Sequence, residues 1–331
     1  MTALAPAPAD PVAVPPERRP GSVRRTSTML MFWPEGFGNE LHLKGHARDL
    51  LTPASGEPTV LDESELTVAT GRERNVLRIE SDPAYEALRR LVGSRAGGNL
   101  RSAIAQELPE QVEAGTPLHL LVDEIAGTTL ISGFAYFRWA AVVPGMRERL
   151  GSGPQKDMRG ICSGFRDGSS ALFPNGTLRG VSSNTPLAPS LSNAADPLGW
   201  HRLDDGPEIV MCRARRIDVW EKGDRLEFDA MFRDTCSVPE GPPVVLHEYQ
   251  MLGSADRDTG VLQTVEAVPR VLPYPECPLA APNAPRMNGT DLRALRSEVL
   301  AQLRSVDCCT HLNDGLRSLA EVPILAASLD G

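Results

Sequence analysis

Two stretches decide how this chain is read: GEPTVLDE at residues 56–63 and GPPVVLHE at residues 241–248. Five of the eight positions are identical, 185 residues apart, and the same separation sets Arg48-Asp49 opposite Arg233-Asp234. Further along, Thr70-Gly71 matches Thr259-Gly260, Leu100-Arg101 matches Leu292-Arg293, and VEAGTPL (112–118) lies beside VDCCTHL (306–312). The separation grows to 194 in small steps at turns, as insertions into loops produce. The pattern predicts a tandem duplication, with a first copy over 24–139 and a second over 213–331.

Each copy reads as about four antiparallel strands followed by two helices, an α+β arrangement. In the second copy, RIDVWEKGDRLEFDAMF is two strands around a Lys-Gly-Asp turn, and residues 244–273 are two more around Asp-Arg-Asp-Thr-Gly. Helical spacing follows in DLRALRSEVLAQL and HLNDGLRSLAEVPILAASL, with Pro323 interrupting the last helix. Residues 140–212, rich in Gly, Ser, Pro and Asn, read as a linker or a lid. Residues 1–23 read as a disordered Ala/Pro-rich tail with no secretory signal, which points to a cytoplasmic protein.

The composition narrows the function. With 34 basic against 43 acidic residues the net charge is −9, so no global attraction to nucleic acid is expected. No uninterrupted apolar run reaches the length of a membrane span, so no membrane partner is expected either. The expected partner is a small-molecule substrate, bound by a monomer with paired halves or by a homodimer. The six cysteines read as thiols or ligands rather than a disulfide framework.

Chemistry is sought where the copies differ. His247 stands opposite Asp62, Cys309 opposite Gly115 and His311 opposite Pro117, while Cys277 falls near Tyr85. By analogy with Thr116-Pro117, Thr310 is the N-cap of a helix and Cys309 lies just outside it, where the helix dipole favours a thiolate. Three readings stay open. His247, Cys277, Cys309 and His311 form a Cys2His2 set around zinc or iron. Alternatively, Cys309 is a catalytic nucleophile with His311 or His247 handling protons. In the third, these thiols and imidazoles are core residues. Arg233-Asp234, present in both copies, reads as a structural ion pair, and Glu248 points away from His247 across the strand. Trp200 and His201 read as a surface turn, or as a flap over a pocket.

The run CTHLNDGLRSLAE, with LHEY, VLPYPEC and DAMFRD upstream, resembles a bacterial domain-of-unknown-function family, number 2889. Its hallmark is a Gly/Cys-Thr-His-Leu motif opening the last helix, and here Cys308 stands where a Gly usually precedes it. The layout is also similar to iron–sulfur scaffold proteins of the NifU type, which implies His247, Cys277, Cys309 and His311 as ligands. Together these lead to a metal-dependent enzyme of lyase, hydratase, isomerase or hydrolase type, with Cys309 and His311 catalytic. Two alternatives stand beside it: a metal or iron–sulfur carrier without turnover, and a metal-free cysteine enzyme.

Overall fold

The computed structural model describes residues 9–146, 148, 156–180 and 185–329. Its frame is one antiparallel sheet of eight strands. These are β1 (Ser22–Phe32), β2 (Leu41–Thr52), β3 (Thr59–Thr70), β4 (Val76–Asp82), β5 (Met211–Lys222), β6 (Arg225–Val238), β7 (Gly241–Asp256) and β8 (Leu262–Val271). Their order, β4-β3-β2-β1-β5-β6-β7-β8, is that of two four-strand meanders joined edge to edge through β1 and β5. The expected α+β class is what the chain adopts, with both quartets in a single sheet.

The turns follow from their residues. Gly223, at φ +65°, lets Lys222 and Arg225 close the β5–β6 hairpin. The Asp256 carboxylate accepts from the Thr259 N–H and hydroxyl to hold the β7–β8 turn. A register shift at Asp49/Leu50 between β2 and β3 has a counterpart at Asp234/Thr235 between β6 and β7. Each bulge re-aims the aspartate beside it.

Helices cover one face. The first half supplies α1 (Leu100–Glu107), α2 (Pro109–Ala114), α3 (Pro117–Ile131) and α4 (Phe134–Trp139). The second supplies a long 3-10 segment, Cys277–Met287, then α5 (Leu295–Gln302), α6 (Thr310–Ser318) and α7 (Val322–Ala326). The Thr116 side chain accepts from the His119 N–H, with Pro117 in the first turn, as the Thr-Pro pair predicts. Pro323 sits in the first turn of α7, after a 3-10 turn that separates it from α6. The stretch Pro117–Trp139 is long and apolar enough to span a bilayer, although its scattered polar residues hide this from a scan for uninterrupted runs. Its 72% burial is that of a core helix.

Two apolar clusters lie under these helices, one around Phe228, Phe232, Met251 and Leu316, the other around Met29, Leu43, Leu121 and Ile125. Between α3, α6 and the central strands runs a layer of buried ion pairs. Arg25 holds Asp49 and Glu321, Arg213 holds Asp234 and Asp314, and Arg215 holds Glu124. Arg296 and Arg317 share Asp123, and Arg101 reaches Asp314. Gly127 makes room for this layer, because a Cβ there would stand 2.7 Å from Arg213 Nη1 and 3.0 Å from Asp314 Oδ2.

The opposite face is covered by extended chain from residues 9–20 and 185–207. Arg233 pairs with Glu248 on this face, and the Val12 N–H donates to Glu248, so Glu248 does point away from His247. Trp200 and His201 are 5% and 2% exposed, which corrects the expectation of a surface turn. The His201 ring nitrogens bond to the hydroxyls of Thr26 and Thr28, on alternate residues of β1.

Two buried histidines, one on either face of the sheet, contribute to the acid response. Burial, aided by His46 and Arg48, pushes the His201 imidazolium pKa down to about 2. Burial and Arg296 push that of His119 down to about 4. Both folded values lie below the ordinary 6.5, so the unfolded chain binds more protons as pH falls. The contribution is whole above about pH 6.5 and is lost below it, towards about 4 for His119 and about 2 for His201. Each histidine removes up to about 1.4 kcal/mol per pH unit in that window. Urea unfolding midpoints should therefore fall steadily from about pH 6.5 to about pH 5, and less steeply in His201→Gln. A flat wild-type profile would contradict this.

Candidate functional site

The site grows from the β6–β7 register. Asp234 faces His247 directly across the ladder, just before the bulge, and both side chains lie on the helix-bearing face. The first turn of α6 then drops His311 onto them. The His247 and His311 rings stack at 3.6 Å between centroids, 18° from parallel. His247 Nδ1 stands 3.3 Å from Asp234 Oδ2, and His311 Nε2 stands 3.9 Å from the same oxygen. One donor atom from each of Asp234, His247 and His311 lies within 4.8 Å of the others, the only such group of three among the described residues.

The surroundings fix the protonation states. Burial alone would push the Asp234 carboxyl up, but Arg213, bound to both its oxygens, and His247 hold it well below the usual carboxylate range. Burial and the neighbouring His247 push His311 well below the ordinary imidazole value, against the pull of Asp234. His247 Nδ1 is buried without a hydrogen bond of normal geometry, although the Asp234 carboxylate is near. His311 keeps 17% of its side chain exposed, whereas His247 and Asp234 are closed off. A neutral imidazole, an ionised carboxylate, an unsatisfied ring nitrogen and one approachable member together make a donor set suited to a transition metal.

The four residues expected as ligands do not all meet. His247 and His311 do. Cys309 lies on the other side of His311, its sulfur 3.9 Å from Nδ1, and Cys277 lies outside the donor group. Cys277 opens the 3-10 segment and packs instead towards the Ser163–Phe165 turn, where a Cβ on Gly164 would stand 2.6 Å from its sulfur. Cys309, rather than Thr310, is the N-cap residue of α6, and it makes no side-chain capping bond. Burial pushes its thiol up despite the helix N–H groups and the Tyr249 hydroxyl beside it, so the dipole argument for a thiolate is outweighed. Burial likewise raises the thiols of Cys277, Cys162 and Cys308, the last two to about 12 and about 11.

Sequence reasoning missed Asp234 because its presence in both copies argued for a purely structural pair. Two register shifts between the β6–β7 turn and this pair set Asp234 opposite His247, whereas an unshifted count back from the turn would set it opposite Val245. Tyr249, two residues beyond His247 on the same strand, was also missed.

A comparison with family models bears on this same region. Residues 211–325 match the family described as Protein of unknown function (DUF2889). The DUF2889 match runs from the first residue of β5 to within α7, so it takes in Asp234, His247, Cys277, Cys309 and His311. The resemblance read from CTHLNDGLRSLAE and its upstream segments thus holds over the second half. No curated protein and no solved structure matches the chain, and nothing found supports the likeness to NifU-type scaffolds.

Proposed function

We propose that Asp234, His247 and His311 hold a zinc or iron ion, and that the protein is a metal-dependent enzyme acting on a small organic acid. The observation that carries the reading is the convergence of three donors within 4.8 Å, one of them the buried and unsatisfied His247 Nδ1. Three protein ligands leave a coordination position open, which separates a catalytic site from a closed structural one. The charge around the site points to the substrate. The surrounding layer pairs Arg25, Arg101, Arg213, Arg215, Arg296 and Arg317 with Asp49, Asp123, Glu124, Asp234, Asp314 and Glu321. A dication entering that balanced network favours hydroxide or an anionic oxygen at the open position. Such an ion supplies Lewis-acid polarisation or an activated water, the basis of lyase, hydratase, isomerase and hydrolase chemistry.

On this reading Cys309 is not a ligand but a neighbour of the ring nitrogen that His311 turns away from Asp234. Its role is to set the orientation of that ring. The same proposal places the protein in the cytoplasm and takes the two like halves of the sheet to descend from one unit.

A metal-free cysteine enzyme is the second reading, favoured by Cys309, His311 and Asp234 lying in sequence, with 3.9 Å at each step. Cobalt(II) titration separates the two. Nitrogen and oxygen ligands give weak visible bands without a strong sulfur-to-metal charge-transfer band, and these should vanish in His247→Ala. An intense thiolate band would restore Cys309 or Cys277 as a ligand. No cobalt spectrum at all would favour the cysteine enzyme.

A further inference from the structure

Away from the histidine cluster, the end of β1, the β3–β4 turn and the C-terminal end of α3 enclose a cleft of about 860 Å3. One wall is aromatic. Trp33 and Phe37 line it, and both pack on Tyr136 with ring centroids 4.7 Å apart. The β3–β4 turn contributes Arg72 and Arg74.

These arginines differ from those of the ion-pair layer and share the lack of a salt bridge with the buried Arg48, which donates to the Leu198 carbonyl. Almost every buried guanidinium in the ion-pair layer faces a carboxylate, yet neither Arg72 nor Arg74 has an acidic partner among the described residues. Arg78, in the adjoining recess, is already neutralised by Glu40. Arg74 donates one hydrogen bond to the Ala96 carbonyl at 2.5 Å, and its buried Nε finds no acceptor. It also holds φ at +66°, a left-handed conformation that costs a side-chain-bearing residue energy. Burial, reinforced by repulsion from Arg95, pushes its guanidinium down. A cation kept half-buried, unpaired and in a strained backbone beside an open cleft is matched by an anion arriving from outside.

We infer that this cleft binds a small carboxylate with a flat or apolar body, such as an aryl or short-chain organic acid. Arg72 and Arg74 take the carboxylate and the Trp33–Phe37 wall takes the body. Charge alone would suit phosphate equally, but the aromatic wall favours a ligand with an apolar part. The inference stands on the cleft and does not rest on the metal reading. The two places are nonetheless joined by one helix end, since Ser132 lines the cleft and Phe134 packs on the His247 ring at 6.1 Å.

The test is calorimetric and tryptophan-fluorescence titration of the full chain with sodium benzoate, sodium hexanoate and inorganic phosphate. Benzoate or hexanoate should bind saturably with a Kd of about 1 mM or tighter, and phosphate at least about tenfold more weakly. Arg74→Gly removes the guanidinium while suiting the positive φ, so it should fold as well as wild type and weaken binding about tenfold or more. Arg72→Ala should weaken binding in the same direction, and Arg78→Ala should leave it unchanged. Absence of carboxylate binding to wild type, equal binding by phosphate, or full binding by folded Arg74→Gly would each overturn the inference.

Discussion

Arg25→Met should destabilise the protein by about 3–5 kcal/mol, a large fraction of the total stability of an ordinary domain. Arg25 is 2% exposed and donates to both oxygens of Asp49. It also sits 2.9 Å from Glu321, which is fully buried, and donates to the Gly115 carbonyl. Methionine fills most of the volume, so the loss is not chiefly a cavity. The substitution leaves the buried Asp49 carboxylate in a low-dielectric surrounding without its counter-charge, and Glu321 with Arg296 alone. The mechanism predicts a partial rescue. Asp49→Asn in the same chain removes the stranded charge, and the double variant should recover part of the loss. Urea unfolding of wild type, single and double variants measures it, and an Arg25→Met cost below about 1 kcal/mol would show that the pair is a solvated contact rather than part of the core.

The sheet was legible because its strands alternate and its hairpins carry Gly and Asp at their turns. The GEPTVLDE/GPPVVLHE match was informative in a further way: the first segment leads into β3 and the second opens β7, the strands next to the innermost pair of each half. His247 and His311 were found as differences between matched positions. Their partner is hidden from such a comparison, because likeness between copies points to structural duty, whereas Asp234 serves both an ion pair with Arg213 and the histidine cluster. Cys277 and Cys309 enter the ligand set as differences between the copies, with the helix-start argument added for Cys309, and so on residue type and position along the chain. Residue type carries no direction, and the side of His311 on which Cys309 falls is decided by the first turn of α6. The covering of the far face was illegible for a related reason. Trp200 and His201 sit in a Gly- and Pro-rich stretch without periodicity, and His201 takes its buried place from the hydroxyls of Thr26 and Thr28 and the ring of His46, all distant in sequence.

The second large effect concerns the metal. Removing one of three ligands costs more than the ten- to hundredfold attached to an outer-shell partner, so His311→Ala should weaken binding by at least about 100-fold. His311 is the safest variant of the three, since it is partly exposed and its loss strands no buried charge. Cys277→Ala, outside the donor group, should keep its metal. The measurement that bears most directly on the account is metal content per chain by elemental analysis, on tag-free wild type, His311→Ala and Cys277→Ala. Near-stoichiometric zinc or iron in wild type and Cys277→Ala, lost in His311→Ala, is the predicted result. A wild-type chain that stays metal-free after incubation with zinc and with iron(II), or one whose metal departs with Cys277 and not with His311, would contradict it.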